Sequence, residues 1–461
     1  MKKAQDSLYF NIYKKIIFDI QNKKLTENEK LPSVRKAATF YNVSCNTIQN
    51  AYNQLLDEGY IYSKEKKGYF VSKFDSPIVV KKEGKNQNSS SQSQKKINKN
   101  EISLEANITD TSFFPYATLR QLYREVLSQK NNEILERLGD FQGEEKLREA
   151  ICNYVYTRRG VNCTANQIII GGGTSDLIQL LIRLFALKDN HTFPVFFLET
   201  PGFTTIEKII LDSKCNIVHI NICDDGADIN SITENSNKIE NKTCLLHLTP
   251  SHQFPTGVTM TAPRRSSILQ WANEKQNRYI IEDDYDSDFR YKGIPITSMQ
   301  GYDENQKVIY MGTFSRTLTP ALRVSYIVLP QELVSFYQQN FTYYKCPVPR
   351  IEQQVLANFI LGGFFERHIN RAKKIYKSRR DLMLELLYKH FPDIQIKGEQ
   401  AGLHFIAKFS EKSESEIIEL AKKNNVTIYG TGTGWLIIGY AHLNFEEIYA
   451  LFENFFSKIL K

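Results

Sequence analysis

A polar stretch near the N-terminus divides this chain into two parts of very different length. Residues 77–100 contain no aromatic side chain and, after the first few positions, almost no apolar one. Such a segment cannot bury enough surface to offset the entropy lost on folding, so we expect a flexible linker. The sequence therefore predicts a small module over residues 1–75, a basic linker over 76–102 and a large body over 103–461.

The positive charge of the chain is concentrated in the module and the linker. The first hundred residues hold 19 lysines and arginines against 9 aspartates and glutamates, whereas the rest of the chain is nearly neutral. A basic module beside a near-neutral body is typical of a protein with an anionic partner, and nucleic acid is the first candidate. The alternative is a lysine-rich proteome, in which the excess charge would have no function.

The composition excludes several classes of protein. Hydrophobic residues make up 41 % and charged residues 24 % of the chain, which is typical of folded globular proteins and excludes disorder of the whole chain. The most apolar stretch, residues 177–187, is interrupted by Gln179 and Arg183, so we expect no membrane span. The first residues lack the apolar core of a secretory signal. Seven scattered cysteines without a C-x-x-C pair favour a cytoplasmic protein with reduced thiols.

Apolar spacing in the module predicts three helices followed by a hairpin. Residues 8–20 have the spacing of a helix, and Ser33 and Ser44 are suited to cap two further helices. Gly59 ends the third helix, and residues 60–71 then read as strand, charged turn and strand. Helix, turn, helix and basic hairpin is the arrangement of a winged helix-turn-helix domain.

The third helix is predicted to present a polar face and the hairpin a basic one. Amide and hydroxyl side chains that face outward from a helix can read base edges in the major groove. The outward positions of this helix are Asn46, Thr47, Gln49, Asn50 and Asn53. The hairpin lysines suited to phosphate oxygens are Lys64, Lys66 and Lys67. The alternative, from spacing alone, is a small protein-interaction module with a solvated polar face.

The module resembles the GntR family of bacterial repressors over nearly all of residues 8–72. The resemblance rests on the segments 31–35, 42–44, 46–48, 58–60 and 68–71. It implies that the arginine of the first segment, the start of the third helix and the wing tip contact DNA. The implied residues are Arg35, Ser44, Asn46, Thr47, Gln49, Lys66 and Gly68. Cys45 stands where family members commonly have an arginine, so an operator sequence should not be carried over from relatives.

The body has the alternation of strands and helices expected of an α/β domain. Short apolar runs separated by helical segments predict a parallel sheet buried on both faces. These runs begin at Ile168, Val195, Leu245, Tyr279 and Val308. The first run leads into three glycines, 171–173, and a helix from Asp176 to Leu187. Glycines at a helix N-terminus can cradle a phosphate, although a tight turn is the alternative for the glycines alone.

Polar strings follow the third, fourth and fifth runs, at residues 249–257, 282–291 and 312–323. Ligands of open α/β sheets bind at the carboxyl ends of strands, so we expect these strings to share one pocket. A carboxylate there could hold a protonated ring nitrogen, a tyrosine a phenolic oxygen and an arginine a phosphate. For the acidic string taken alone, the alternative is a solvated turn.

Together these strings resemble the MocR subfamily of GntR regulators, in which the body is similar to a fold-type I aminotransferase. The match extends from about residue 113 to residue 440. It implies a multidomain protein, with a winged helix-turn-helix and an α/β body of the pyridoxal-phosphate-dependent transferase type. The implied cofactor is pyridoxal 5'-phosphate, whose ring makes an electron sink.

The resemblance also implies which residues contact the cofactor. Asp283 would pair with the pyridinium nitrogen and Tyr285 would reach the ring O3' oxygen. Phe203 would lie near the ring face, and either Gln253 or Phe254 would take the place of an aminotransferase asparagine. The implied phosphate contacts are Thr313, Ser315 and Arg323, with backbone N–H groups at Gly172, Gly173 and Thr174.

Arg316 is the decisive departure from the family. It stands where the family has the lysine that forms a Schiff base with the cofactor, and a guanidinium stays protonated in proteins. Arg316 therefore cannot form that bond, although it can pair with phosphate or carboxylate. We expect the cofactor, if bound, to be held noncovalently. A second departure is that residues 434–440 contain no arginine where many aminotransferases bind the substrate carboxylate.

These observations favour a homodimeric transcription regulator that binds a double-stranded operator. Its body would sense a small molecule, pyridoxal phosphate or an amino compound or both. The alternative is a working pyridoxal-phosphate-dependent aminotransferase with an accessory DNA-binding module, against which Arg316 argues directly. In a third possibility the body has lost the cofactor and only dimerises.

Overall fold

A computed structural model of the protein describes residues 8–22, 24–64, 67–73, 102–106, 108–128, 133–239, 241–291 and 295–460. The chain divides into two units, residues 1–96 and 97–461, and each is described by itself. The predicted linker, apart from Ile102, lies outside the described residues, and so does Lys66.

The first unit has the three helices and the hairpin that the sequence predicts. The helices are α1 (Leu8–Gln21), α2 (Val34–Tyr41) and α3 (Cys45–Asp57), and the antiparallel strands are β1 (Ile61–Lys64) and β2 (Gly68–Val71). Ser33 and Ser44 are the N-caps of α2 and α3, and their side chains accept the backbone N–H groups of Lys36 and Thr47. Each cap satisfies a donor that the helix itself leaves unpaired.

An apolar stripe on α3 holds the first unit together. Its members are spaced so that they lie on one face of the helix, and all are buried: Ile48, Ala51, Tyr52 and Leu55. They belong to one cluster with residues of α1, among them Ile12 and Ile16. The Tyr52 hydroxyl also donates to the Pro32 carbonyl at 3.0 Å. The packing fixes which face of α3 is left outward.

The second unit is built on an eight-stranded sheet with the order β4-β11-β10-β9-β8-β5-β6-β7. Its strands are β4 (Ile168–Gly171), β5 (Val195–Thr200), β6 (Asn216–Cys223), β7 (Gly226–Ala227), β8 (Cys244–Leu248), β9 (Arg278–Asp284), β10 (Val308–Thr313) and β11 (Ser325–Val328). Strands β6, β5, β8, β9 and β10 run parallel to their neighbours in this series.

The five predicted strands run in one direction, but the sheet is mixed, because β11 and β7, which the sequence analysis did not predict, run against their neighbours. Strand β11 pairs antiparallel with both β10 and β4, and β7 pairs antiparallel with β6. The chain passes from β10 to β11 through residues 314–324 only. A parallel return normally needs a crossover of a dozen or more residues with its own helix, so this short connection returns the chain in the opposite direction.

Helices cover the sheet and extend to a smaller sheet. They are α4 (Tyr116–Leu127), α5 (Glu133–Glu136), α6 (Glu145–Arg159), α7 (Thr174–Lys188), α8 (Thr204–Asp212), α9 (Ile229–Asn237), α10 (Ala262–Asn273), α11 (Gln331–Asn340), α12 (Arg350–Leu361), α13 (Phe364–His390), α14 (Glu414–Lys423), α15 (Phe445–Leu451) and α16 (Ser457–Ile459). Helix α7 begins two residues before the predicted Asp176, so Thr174 is its first residue and Gly173 its N-cap.

A four-stranded antiparallel sheet forms the C-terminal part of the second unit. Its order is β12 (Gln395–Lys397), β13 (His404–Lys408), β16 (Leu436–Gly439) and β15 (Tyr429–Gly430). Beside it, β3 (Ile102–Ser103) pairs in parallel with β14 (Val426–Thr427), so the segment that follows the linker joins this part of the body.

The large sheet is buried on both faces, as the sequence predicts. Ile281 of β9 packs with α7 residues such as Leu177, whereas its neighbour Ile280 packs with Trp271 of α10. Side chains alternate across a strand, so consecutive apolar residues supply two separate cores. No helix among the described residues combines the length and the apolar character that crossing a lipid bilayer requires.

We expect Leu246→Ala to destabilise the second unit. Leu246 lies on the central strand β8, is fully buried and belongs to the same cluster as Trp271. Truncating a buried leucine leaves a cavity and costs about 2–5 kcal/mol. Urea unfolding followed by tryptophan fluorescence should show a lower midpoint. The control Leu211→Ala, at an exposed position on α8, should stay within about 0.5 kcal/mol of the parent; equal midpoints for both variants would contradict the expectation.

Candidate functional site

The sheet places the predicted site residues side by side along one edge. In the register, Gly171 at the end of β4 pairs with Ser325 of β11, and Ser325 pairs with Thr313 of β10. On the next strand, Asp283 of β9 pairs with Met311. The glycine turn, the hydroxyls and the carboxylate therefore follow one another across the sheet, which is where α/β proteins of this kind bind ligands.

The glycine turn and Arg323 together form a positively polarised surface. Gly173 has a φ of +132°, and a Cβ built on it would lie 2.5 Å from the Arg323 Nη2 atom. The guanidinium thus lies against the N-terminus of α7, where backbone N–H groups and the helix dipole already favour an anion. Gly172 is less available than predicted, because its N–H donates to the Asp176 carboxylate at 2.9 Å.

Hydroxyl groups surround the end of β10. The Ser325 hydroxyl donates to the Thr313 hydroxyl oxygen at 2.8 Å, and the Ser315 backbone N–H donates to the same oxygen at 3.1 Å. Thr313 and Ser315 are half-buried. Such groups can turn toward phosphate oxygens, since a hydroxyl both donates and accepts.

Asp283 is a buried carboxylate with one unsatisfied oxygen. It is 3 % exposed, and its Oδ2 atom lies 3.3 Å from Nε2 of His247 on β8. Its Oδ1 atom has no hydrogen-bond partner among the described residues. Leaving a buried carboxylate oxygen unpaired costs free energy, so this atom suits a ligand that brings an N–H donor.

Aromatic rings line the neighbouring space. The rings of Phe203 and Phe254 are stacked, with centroids 4.2 Å apart, and Tyr285 meets the Phe203 ring edge-on at 5.3 Å. The Tyr285 hydroxyl donates to the His252 carbonyl at 2.9 Å. Burial, followed by the charge of Asp286, raises the pKa of Tyr285 well above its ordinary value, so its hydroxyl stays protonated.

Gln253 and Phe254 take different positions. The Gln253 amide donates to the Pro201 carbonyl at 2.9 Å, and its Oε1 atom accepts from the Thr256 hydroxyl at 2.6 Å. Gln253 thereby ties two loops together. Phe254 lines a cavity of about 690 Å³ beside the carboxyl end of β5, and Gln253 is not part of its described wall.

Arg316 lies among acidic groups without being paired to one. Its guanidinium makes no hydrogen bond or ion pair within the described part of the chain, although it interacts electrostatically with Tyr285, Asp286 and Asp283. Burial lowers the pKa of Arg316 from its ordinary value, while these neighbours raise it. An arginine remains protonated even so and has no free amine to attack a carbonyl.

Four carboxylates of the acidic segment 282–291 are buried and the fifth, Asp288, is half-buried, so the segment is not a solvated turn. Each of its other carboxylates has a partner on a different element: Glu282 accepts the Met299 and Gln300 N–H groups, Asp284 pairs with Arg159, Asp286 with His252 and Asp288 with the Tyr154 hydroxyl. Buried carboxylates of this kind need such partners, because an unpaired charge is costly in the interior.

His252 and His404 have opposite electrostatic surroundings. Burial by itself would lower the pKa of His252, but the charge and hydrogen bond of Asp286, 2.9 Å from Nδ1, raise it overall. Burial, followed by the neighbouring His252, lowers the pKa of His404 well below its ordinary value. We therefore describe His252 and Asp286 as an ion pair and His404 as neutral.

In the first unit, the residues predicted to contact DNA differ in how exposed they are and in whether they hydrogen-bond within the unit. Arg35 and Asn46 are exposed, whereas Thr47 and Gln49 are half-buried. Ser44 is engaged as the cap of α3, and its hydroxyl lies 2.8 Å from that of Thr47. The Gln49 amide donates to the Tyr69 hydroxyl at 3.1 Å and so links α3 to the hairpin.

The hairpin has the form of a wing. Gly68 has a φ of +103°, a conformation that glycine adopts without strain, and it lies at the turn. Lys64 and Lys67 flank this turn and are exposed.

Comparison with known proteins matches both units. Residues 8–71 match the family "Bacterial regulatory proteins, gntR family", and residues 99–455 match "Aminotransferase class I and II". The HTH-type transcriptional regulator YdeL of Bacillus subtilis (strain 168) is 37 % identical, over 92 % of this chain and 88 % of the relative. The probable rhizopine catabolism regulatory protein MocR of Rhizobium meliloti is 28 % identical, over 90 % and 84 %. The chain belongs to the MocR subfamily of GntR-type transcriptional regulators.

Solved structures agree with this assignment of the MocR-type body. The kynurenine aminotransferase of Pyrococcus horikoshii has a TM-score of 0.65 and 23 % identity, over 78 % of this chain and 91 % of that one. An archaeal alanine:glyoxylate aminotransferase has a TM-score of 0.67 and 23 % identity, over 78 % and 90 %. At this level of identity the likeness establishes the fold alone: the body of this MocR-type regulator has the fold-type I aminotransferase architecture.

Three polar residues of this MocR-type site were not predicted individually. His247 lies within an apolar strand, Ser325 begins the antiparallel strand β11, which the sequence did not predict, and Glu199 is the last residue but one of β5. A histidine or glutamate inside a buried strand is itself a signal, because such side chains are rarely buried without a partner. Ser325 had no such signal, since its role depends on the pairing of β11 with β10.

The His252–Asp286 pair predicts a pH dependence for this MocR-type regulator. Because the folded pKa of His252 is raised above its ordinary value of 6.5, the stability that the pair contributes is present below that pH. It should be lost as the pH rises through the raised folded value. Urea midpoints measured across this range should therefore fall with pH in the parent.

The same decline should be reduced in two variants, His252→Gln and Asp286→Asn, each of which removes one partner of the ion pair. An unchanged pH profile in both variants would show that another group controls the dependence.

Proposed function

We propose that the body of this regulator binds pyridoxal 5'-phosphate without a covalent bond and senses a small molecule beside it, and that the protein has no transaminase activity. The observation that carries the proposal is Arg316, a lone cation in place of the family's lysine, beside residues that otherwise suit the cofactor. Without a free amine at this position, amino-group transfer loses its covalent attachment point and its proton carrier.

Two features support the fit of this cofactor. The unpaired Oδ1 atom of buried Asp283 suits a protonated ring nitrogen, and the Arg323 guanidinium beside the N-terminus of α7 suits a phosphate. When bound, the cofactor supplies an electron-withdrawing pyridinium ring. His247, 3.3 Å from Oδ2, would help to orient the Asp283 carboxylate.

The proposed contacts follow from the same geometry. Phosphate would be held by Thr313, Ser315 and Arg323, with Gly172, Gly173 and Thr174 at the helix N-terminus. Tyr285 would reach the ring O3' oxygen and Phe203 the ring face. Gln253 would act by holding the adjacent loops, because its polar atoms are already engaged there. Arg316 would supply a further cation near the ring.

We further propose that the first unit binds an operator in duplex DNA. Arg35, Asn46 and Thr47 would make contacts with DNA, and the wing would reach phosphate through Lys64, Lys66, Lys67 and the turn at Gly68. Ser44 and Gln49 would position these groups, since both are engaged within the unit. A homodimer would present two such units to a palindromic operator.

We expect the parent to bind pyridoxal phosphate reversibly in equilibrium dialysis. Asp283→Ala and Arg323→Ala should each weaken binding on the order of tenfold or more, because each removes a charge-assisted contact. Arg183→Ala, at an exposed position further along α7, is the matched control and should bind like the parent.

Borohydride reduction distinguishes a cofactor that is linked covalently to the protein from one that is bound noncovalently. Reduction should attach no pyridoxyl group to residue 316 of the parent, whereas Arg316→Lys should give a labelled protein if the pocket is intact. Amino-group transfer by the parent would favour the aminotransferase alternative. Failure of the parent to bind the cofactor at all would favour a body that only dimerises.

We expect DNA binding by the full chain to weaken steeply as salt increases, because phosphate contacts release counterions. Arg35→Ala should weaken binding further in an electrophoretic mobility or anisotropy assay. Lys422→Ala removes the same charge from an exposed position on α14 and should leave affinity nearly unchanged. Equal losses in both variants would mean that net charge, rather than a local contact, determines binding.

A further inference from the structure

The cavity of about 690 Å³ extends beyond the proposed cofactor contacts. It shares Phe203 and His247 with them and reaches across to Tyr429 and Ile437 of the small sheet. Its volume is in the range of cavities that take small organic ligands. The cavity is therefore the place where a second molecule can lie next to the cofactor.

The charged groups of this cavity are carboxylates. Glu105, Glu199 and Glu207 line it, and no lysine or arginine does so among the residues that the structure describes. The two lining histidines are already engaged: His219 lies 3.4 Å from Glu207, and His247 lies 3.3 Å from Asp283. A ligand carboxylate would thus meet like charges, without a described guanidinium or ammonium to offset them.

An unpaired oxygen of the buried Glu199 carboxylate is a second observation that favours a cationic ligand in this cavity. Glu199 is 6 % exposed, and its Oε2 atom accepts from the Thr249 N–H at 2.9 Å, while its Oε1 atom has no partner among the described residues. Burial raises the pKa of Glu199, and a cation nearby would favour the charged form instead. A buried, unpaired carboxylate in a cavity wall calls for a donor from a ligand.

The cavity has Ile437 in the segment where many aminotransferases have an arginine that binds the substrate carboxylate. Ile437 lies on β16, within the segment 434–440 that contains no arginine, and its side chain forms part of the cavity wall. Phe203 and Phe254 add an apolar, aromatic surface. Aromatic faces attract cations as well as apolar groups.

We propose that the effector of this regulator is an organic cation, an amine without a carboxylate, bound between Glu105, Glu199 and Glu207 against the rings of Phe203 and Phe254. The proposal rests on the function proposed above, in that it assigns this cavity to the effector. Within that function it excludes α-amino acids bound through a carboxylate.

Three probes with the same phenyl group and similar chains test the assignment. They are N,N-dimethyl-2-phenylethylamine, which is protonated at neutral pH, carries one N–H donor and, as a tertiary amine, cannot form an imine with an aldehyde, 4-phenyl-2-butanone, which is neutral, and 3-phenylpropionate, which is an anion. Each is titrated into the full chain with and without pyridoxal phosphate, by calorimetry and by fluorescence. Trp435 serves as the reporter, because it packs against the cluster of Ala106, Ile406 and Ile437, and Ile437 lines the cavity.

We expect the cation to bind on the order of tenfold or more tightly than the neutral probe, and the anion to bind least. Glu207→Gln and Glu105→Gln should each weaken the cation several-fold. Glu419→Gln, at an exposed position on α14, should not.

Two gain-of-charge variants provide the converse test. Ile437→Arg, and Thr205→Arg at an exposed position in the same wall, should each shift the preference toward 3-phenylpropionate. Thr205→Arg keeps the test valid if Ile437→Arg does not fold.

The proposal is overturned if the anion binds as tightly as the cation, if neither glutamine variant weakens the cation, or if the cation does not bind at millimolar concentration. If the parent protein does not bind pyridoxal phosphate but still prefers the cationic probe, the proposed cofactor is wrong and the proposed effector class stands. Failure of the cofactor proposal can therefore be distinguished from failure of the effector proposal.

Discussion

The burial of four carboxylates in one short segment organises the body of this protein. Glu282, Asp283, Asp284 and Asp286 lie in the interior, where each charge needs a partner, and Asp288 follows them at a half-buried position. Arg159 is brought in by α6, His252 by the loop after β8, and the Tyr154 hydroxyl again by α6. These pairings fix the large sheet to its surrounding helices and loops. Asp283 and Asp284 each keep one oxygen without a hydrogen-bond partner among the described residues, and Asp283 is the one of the two that the sequence analysis assigned to the ligand.

Features that depend on neighbouring residues in the chain could be predicted well. Ser33 and Ser44 cap α2 and α3 because a side-chain oxygen reaches its own helix end, and the stripe through Ile48 and Leu55 follows from helical spacing. The direction of β11 could not be predicted, because a short apolar run does not encode which strands it pairs with or in which direction. The same limit hid Ser325, whose hydroxyl meets Thr313 only through that pairing.

The polar segments that form the site could be predicted from the sequence, but the hydrogen bonds that orient their individual side chains could not. The motifs predicted that Asp283, Thr313 and Arg323 lie at one edge of the large sheet, because the carboxyl ends of its parallel strands meet at that edge. Whether Gln253 or Phe254 faces the ligand depended on loop hydrogen bonds that have no sequence signature. Arg316 could be recognised from its position alone, since the chemistry of a guanidinium does not depend on the fold around it.

Under the proposed function, a ligand of the body influences DNA binding through a difference in free energy. A ligand shifts an equilibrium between two conformations only as far as its affinities for them differ. Glu207 lies on α8 beside the large sheet, whereas Glu105 follows β3 and accepts a hydrogen bond from Tyr429 of the small sheet at 2.8 Å. A cation held by both carboxylates would contact both parts of the body at once. Its affinity would then depend on how those parts are arranged, which is the property that an effector site requires.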